Sequence, residues 1–594
     1  VRRGLRRSWP GLRRALLLAG AGVAPGALLG AHLTALIFFL NPALPFAPLP
    51  LARGIGVFAS AGGLATLLLQ LPFFLARPER AARFLPWSLA LAFAAAAWLD
   101  GMHASLYAYF LPPGINDRLI KAALWLSLAA LIAFYTALLH SLHWRRYGWR
   151  SRWGLTLVAA LSVFVVIERR EAFRPSPVPA PRPALVERRE RPKLWVVGLD
   201  GATLDAILPL AGSGHLPFFG RLLREGAYAR LESLAPTQRD ALWVTLATGR
   251  LPFRHGVVGW RVYRAPYLCD GCVLRLLPQG IRFGDWGLFG QPGFPEPKDS
   301  RRALALWEVL WRLGVGSGVV GWPKVAADGG DGVFALPESC FSPREVSCES
   351  SPPDLGARVR PLRAAASLLP PDLLARFGEA PAAGVGAALA ADRWRLEAVR
   401  LARDEHPEAE AVCLLLPGLR DVSRRFFGGF NSVQFAGARK HEAREAADQL
   451  AAYYGFLDDS LARLWAEGDD GGRRILAVVS VHGTRAEEGL EWIVGGFSGG
   501  LALGGRFQNA PDGVLILFGE GIRKGALVRE ARLVDAAPTL LYAVGAPLAR
   551  DLDGRILTSA FEDGFLARNP ATFLPSYEGL LPARPSGIPG DGGR

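Results

Sequence analysis

Five nearly uncharged stretches dominate the front of this chain, at residues 15–40, 51–76, 84–111, 122–142 and 153–167. The first four reach the ~20 residues that cross a bilayer. The fifth is short, and tilt or local thinning beside Trp153 would let it pass. A chain built this way commits its first part to a membrane before any other feature is weighed. Membrane lipids are therefore its first expected partner.

Charge sets the orientation. The formal net charge is +15, yet residues 1–171 hold 18 Lys or Arg against 5 Asp or Glu, a net +13 that leaves only +2 for the rest. The excess sits in alternate loops: Arg2, Arg3, Arg6, Arg7, Arg13 and Arg14, then Arg77, Arg80 and Arg83, then Arg145, Arg146, Arg150 and Arg152. By the positive-inside rule these loops are cytoplasmic, so the N-terminus is inside and five crossings carry the next domain out. Four crossings would leave it in the cytoplasm. Basic residues distributed between apolar segments argue against a nucleic-acid partner. The first segment is too long, and the NPALPFAP after it too unlike a small-residue cleavage site, for a simple removable signal. Asp100 and His103, three apart in the third stretch, share a helical face. They read either as a hydrogen-bonded packing pair or as a contact to a lipid headgroup, a partner or an ion path.

The expected organisation is a transmembrane region over 1–170, a Pro- and Arg-rich linker over 171–192, an α/β domain over 193–570 and a peripheral tail over 571–594. The buried-strand pattern LWVVGLD recurs in GVGSGVVGW, AVCLLLPGL, RILAVVSVHG and GVLILFGEGI. Helical patterns at Asp240–Thr248, Arg301–Leu313, Trp394–Ala402 and Arg444–Glu467 lie between such runs, which predicts a mostly parallel sheet with helices on both faces. Residues 262–299 read as an irregular insertion. Cys269 with Cys272 and Cys340 with Cys348 suit local disulfides in an oxidising compartment, while Cys413 lies in an apolar run as a small buried hydrophobe.

In a sheet of this kind ligands collect at the carboxyl ends of the strands. Asp200, Arg420 and His482 fall there. Each alone has a bland reading, as a turn aspartate, a surface arginine and a backbone-satisfied histidine; their shared location makes them a candidate site.

Four blocks carry a resemblance: WVVGLDGATLDAILPLAGSGHLPFFGRLLREGA, ALWVTLATGRLPFRHGVVG, LWEVLWRLGVGSGVVGWPKV and LVDAAPTLLYAVGAPLARDLDGRIL. In this order, over residues 193–556, they resemble the type I phosphodiesterase and nucleotide pyrophosphatase branch of the alkaline phosphatase superfamily. The resemblance implies a doubly wound α/β fold with two divalent metals, usually zinc, beside a Thr or Ser nucleophile. One metal lowers the pKa of the attacking hydroxyl and the other steadies the transferred oxygens. The family's first aspartate matches Asp200. Its nucleophile, nine residues before Thr248, falls on Arg239, which has no hydroxyl. Its D-x-x-x-H block reads RDVSRRFF, which puts Arg420 and Arg424 on ligand positions and Asp421 one residue off. Its SDHG reads SVHG, with Val481 for the aspartate and His482 kept; a later histidine aligns with Asn509. His255 matches a further block and is expected to shape the fold. The remaining acid, Asp512, is an open candidate.

By this resemblance Asp200 and His482 are remnant ligands of one metal site whose other partners are gone. Two protein ligands do not hold zinc as a catalytic site does. No cofactor is then expected, and the function implied is that of a membrane-anchored, catalytically inactive phosphodiesterase-like protein that binds an envelope glycan, lipid or protein partner. Arg239, Arg420 and Arg424 would replace the lost cations as ion-pair partners, or grip phosphate or carboxylate through their guanidinium forks, or simply lie exposed. The alternative is a metal-dependent phosphodiesterase or phosphotransferase acting on an envelope lipid, glycan or nucleotide, with two zinc or manganese ions and Thr237 as a displaced nucleophile.

Overall fold

The structure is a computed structural model that describes residues 2–76, 78–142, 148–172, 191–279, 291–295, 300–325, 333–342, 348–377, 384–430, 440–468, 473–486, 505–507 and 510–577. The chain divides into two compact units, Val1–Pro177 with Val258–Glu296, and Val178–Val257 with Pro297–Arg594.

The first unit is built on α1 (Arg2–Leu40), α2 (Pro48–Ala76), α3 (Pro78–Leu106), α4 (Pro113–Leu142) and α5 (Trp149–Glu171). All five are long and apolar enough to cross a membrane. The fifth, short by its apolar run alone, reaches 23 residues because the helix runs past that stretch at both ends, beginning at Trp149 and continuing through Glu168, Arg169 and Arg170 to Glu171. That extension is used. Arg170 is buried and donates from Nε to the Phe38 carbonyl and from Nη2 to the Pro42 carbonyl, both at 3.0 Å, where α1 ends. Along α4, Leu119, Leu126 and Ala133 face the bundle, while Leu124, Leu131 and Tyr135 are more than half exposed and suit lipid. Between α1 and α2 the contact is backbone against backbone. A methyl at Gly26 would collide with the Gly62 carbonyl, and the Thr66 hydroxyl donates to the Gly22 carbonyl at 2.8 Å. Small residues permit this approach, which replaces the hydrophobic drive that lipid does not supply.

By sequence, residues 262–299 belong inside the α/β domain as an irregular insertion. In the structure Val258–Glu296 belongs to the first unit and forms a three-stranded antiparallel sheet, with Arg261–Arg264 between Val273–Leu274 and Gln291–Pro295. Its Ala265, Leu268, Cys272 and Leu274 share a core with Ile37, Phe38, Leu44 and Phe58. Three polar side chains fasten it. Asn41 donates to the Leu276 carbonyl at 2.8 Å and accepts from the Arg275 and Leu276 amides. The Tyr107 hydroxyl donates to the Leu277 carbonyl at 2.9 Å. His103 donates from Nδ1 to the Leu99 carbonyl at 2.7 Å and accepts the Gln279 amide at Nε2, also at 2.7 Å. His103 therefore turns to the insertion rather than to Asp100. Asp100 is buried, with one carboxylate oxygen lacking a hydrogen bond among the described residues.

Asn41 comes directly after α1, and His103 and Tyr107 close α3. The insertion thus meets the ends of odd-numbered helices, opposite the basic loops. The protein is a multi-pass membrane protein whose large C-terminal domain is extracytoplasmic.

In the second unit the main strands are β1 (Lys193–Leu199), β2 (Ala227–Glu232), β3 (Ser317–Val320), β4 (Phe334–Leu336), β5 (Ala411–Leu416), β6 (Arg474–Ser480), β7 (Gly513–Gly519) and β8 (Ala526–Leu527). They run side by side in the order β8-β2-β7-β6-β1-β5-β3-β4, with Ala531–Arg532 also pairing β2 in a nine-stranded sheet. β1 is parallel to β5 and β6, and β5 to β3. The run at β7 reads by sequence as one more parallel strand, but it pairs antiparallel with both β6 and β2. A fully buried apolar run has no alternation from which direction could be read.

Successive residues of β1 face opposite layers. Trp195, Val197 and Leu199 join a core with the fully buried Phe219, Tyr453 and Tyr454. On the other side Gly198 lies against Trp243, and a methyl there would come within 2.8 Å of its ring. Trp243 packs edge-on against Trp322, with Trp307 beyond it. Each large apolar side chain buried this way contributes about 1.5–3 kcal/mol relative to exposure. The helix expected from Arg301 starts at Leu306 instead, where Arg301 and the amide of Ala305, whose backbone is extended, both bind the Glu308 carboxylate.

Candidate functional site

Asp200 comes directly after β1, and His482 lies two residues beyond β6, the neighbour of β1. The turn after Asp200 needs Gly201, whose φ of +88° is in the left-handed region. Between Asp200 and the rest of the site enters Arg239, the first residue of α6 (Arg239–Thr248). Its Nε donates to Asp200 Oδ2 at 2.6 Å, its Nη1 lies 3.3 Å from Asp240 Oδ1, and its Nη2 lies 3.0 Å from Glu338 Oε1. A cation is unfavourable at a helix N-terminus, so these three carboxylates are what hold it there.

The electrostatics result from the packing. Burial works against charge on Asp200, but the permanent charges of Arg239 and then Arg420 outweigh it and hold the carboxyl below its ordinary range. Burial likewise opposes the Arg239 charge, and Glu338, Asp200 and Asp240 more than restore it. For His482 burial prevails over the attraction of Asp200, and its pKa is lowered. The neutral ring donates from Nδ1 to the Gly483 carbonyl at 2.9 Å, which leaves Nε2 as a bare acceptor 3.4 Å from Asp200 Oδ1. That oxygen has no hydrogen bond among the described residues.

The three arginines picked out by sequence have different fates. Arg239 is bound inward and 14% exposed. Arg420 and Arg424 lie on α8 (Gly418–Phe430), which comes after β5. Arg420 is half-buried, its guanidinium 5.3 Å from the centre of the Phe507 ring. Arg424 is exposed and has no ion-pair partner among the described residues. The start of α8 is set by α7 (Val385–Glu405), where Asp392 accepts the Gly418 amide at 3.0 Å and the Tyr453 hydroxyl at 2.8 Å. Burial pushes the Asp392 pKa up to about 6. Gly418 is required at that joint, since a Cβ would collide with the Tyr453 hydroxyl.

The other candidates lie apart from this centre. Thr237 is partly buried, two residues ahead of α6, with no hydrogen bond among the described residues. Asp421 is exposed on α8, and Asp512 accepts the Ser233 amide at 3.4 Å. His255 is buried between the Thr245 hydroxyl and the Val257 amide, and burial lowers its pKa to about 3. Asn509 lies outside the described residues. The expected cysteine pairs are bonded, Cys269 to Cys272 and Cys340 to Cys348, and Cys413 is free and buried.

A zinc centre takes three or four protein donors per ion. Here Asp200 Oδ1 and His482 Nε2 are two acceptors, Asp200 Oδ2 is occupied by a guanidinium, and Val481 presents an apolar side chain. Among the described residues no group of three or more His, Cys, Asp or Glu side chains is gathered for a metal. The donors among the described residues do not fit the two-metal centre.

Sequence reasoning missed two parts of the site. Glu338 opens the single turn Glu338–Phe341 after β4, beside the Cys340–Cys348 bond. Its one local signal is an acid two residues before a cysteine expected to be bridged. Phe507 packs against the His482 ring at 5.3 Å and against Arg420, and lies 3.3 Å from where a Cβ on Gly201 would be. Nothing in its neighbourhood marks it.

Residues 194–493 match the family model described as type I phosphodiesterase / nucleotide pyrophosphatase. No curated protein matches the chain. Among solved structures, wild-type alkaline phosphatase PafA is 12% identical, covering 63% of this chain and all of its own, with a TM-score of 0.42. Murine ectonucleotide pyrophosphatase / phosphodiesterase 5, in an inactive form with AMP, is 13% identical, covering 62% of this chain and all of its own, with a TM-score of 0.35. With its matched model spanning half of the sequence, the chain belongs to the type I phosphodiesterase / nucleotide pyrophosphatase family.

Proposed function

We propose that this protein is a membrane-anchored pseudoenzyme whose extracytoplasmic domain binds an anionic group of an envelope glycan, lipid or protein partner and does not cleave it. The observation that carries the reading is Arg239, which stands at the nucleophile position and is locked against Asp200, Asp240 and Glu338. It has no hydroxyl to attack with, and its charge takes the place of a divalent cation among these carboxylates. No metal cofactor is required by this arrangement. Anion recognition then falls to Arg420 and Arg424, because Arg239 is already paired. Guanidinium groups suit phosphate and carboxylate oxygens, which they can bind in pairs.

Titration of the purified full chain with inorganic phosphate, at low and high salt, tests this. Loss of a charge-assisted hydrogen bond is expected to weaken binding about tenfold or more in Arg420→Ala, with a smaller loss in Arg424→Ala. Equal binding by wild type and both variants would overturn the assignment of these arginines.

A further inference from the structure

We propose that the Val258–Glu296 insertion is a second membrane attachment, a latch that holds the extracytoplasmic domain to the helix bundle independently of the linker at 171–192. The chain leaves the second unit at Val257, enters the first, and returns at Pro297. The large domain is therefore joined to the membrane unit by three chain crossings, of which the linker is one.

The docking has the features of a folded interface. Its apolar part is continuous, with Leu268, Cys272 and Leu274 of the insertion sharing a core with Ile37, Phe38 and Phe58 of α1 and α2. Leu268 comes within 2.9 Å of where a side chain on Gly54 would begin, and Tyr267 meets Phe58 edge-on at 5.6 Å. Its polar part is satisfied: the Asn41 amide makes hydrogen bonds through both its oxygen and its nitrogen to Arg275 and Leu276, and Tyr107 and His103 take Leu277 and Gln279. The Cys269–Cys272 bond closes the turn that carries these apolar residues. Apolar burial and neutral hydrogen bonds are little affected by salt, unlike an electrostatic surface contact.

The test is a specific protease site introduced within 173–190 of the full chain, cut in sealed membranes with the outer face exposed, and then a high-salt wash. The latch predicts that the fragment from residue 191 onward stays wholly with the membranes after complete cleavage. It also predicts loss of that fragment to the supernatant, as a monodisperse protein, when residues 258–296 are replaced by a short Gly-Ser connection. A second variant, Asn41→Ala with Tyr107→Phe and His103→Ala, alters only the bundle side and should release part of the fragment. Release of the wild-type fragment on linker cleavage alone would overturn the proposal. So would full retention of the fragment in the deletion variant, since another attachment would then be holding it.

Discussion

The ionic centre around Asp200 and the dock around Asn41 solve the same problem by opposite means. Both bury polar groups that are distant in sequence: Arg239 reaches Glu338 across 99 residues, and Asn41 reaches Leu276 across 235. The dock uses a neutral amide whose nitrogen donates to Ile37 and Leu276 and whose oxygen accepts from Arg275 and Leu276. The centre uses full charges and leaves Asp200 Oδ1 without a hydrogen bond among the described residues. A neutral group can be satisfied completely by backbone nearby, whereas a buried charge needs countercharges brought by other elements and depends on all of them. The difference makes the centre the more fragile region.

The largest effect is therefore expected at Arg239. Arg239→Ala leaves Asp200, Asp240 and Glu338 facing one another, and removal of one partner from a buried pair costs about 3–5 kcal/mol. Denaturant unfolding of the full chain should show it, with Glu338→Gln milder because that carboxylate is 37% exposed. A loss under about 1 kcal/mol for Arg239→Ala would mean that the cluster is solvated and no more fragile than the dock. Next comes Asn41→Ala, which removes the neutral hydrogen bonds to the Leu276 amide and carbonyl and leaves room for water in place of the amide, at about 0.5–1.5 kcal/mol for each bond. Thermal unfolding in detergent should register it as a smaller loss than Arg239→Ala.

A pH experiment sharpens the same comparison. The Asp392 pKa is raised from 3.8 to about 6, so the folded state holds its proton more tightly than the unfolded state. Its contribution is greatest below the unfolded pKa and is lost as pH rises toward about 6. Asp200 is shifted the other way, and its contribution is lost as pH falls through its depressed folded pKa. Unfolding free energies between pH 4 and pH 6.5 should fall with rising pH more steeply in wild type than in Asp392→Asn, and identical slopes would remove the buried-carboxylate account of the α8 joint. The smallest stability effect is expected at Arg424. Exposed and without an ion-pair partner among the described residues, it should change stability by no more than about 0.5 kcal/mol when cut to alanine.

How far the sequence can be read depends on how each signal is encoded. The strands at Lys193–Leu199, Ala411–Leu416 and Arg474–Ser480 are legible because sheet burial on both faces writes a continuous apolar run, and Asp200 and His482 are legible because each stands just past the end of such a run. The antiparallel direction of Gly513–Gly519 is hidden by the same continuity. The arginines are legible as substitutions but not in direction, since no periodicity records whether a side chain at a helix start turns inward. Glu338 and the docking of residues 275–279 are hidden for a further reason. Both are created by long-range closure, where the contact is physical and the sequence neighbours are ordinary turn residues.

Metal content measured together with turnover tests the central claim most directly. The purified full chain, incubated with zinc or manganese and freed of excess, should retain well under one equivalent of ion per chain and should show no hydrolysis of a phosphodiester, because two donors and a paired arginine do not make a catalytic site. Retention of two ions per chain, with a turnover that Thr237→Ala abolishes, would contradict the account.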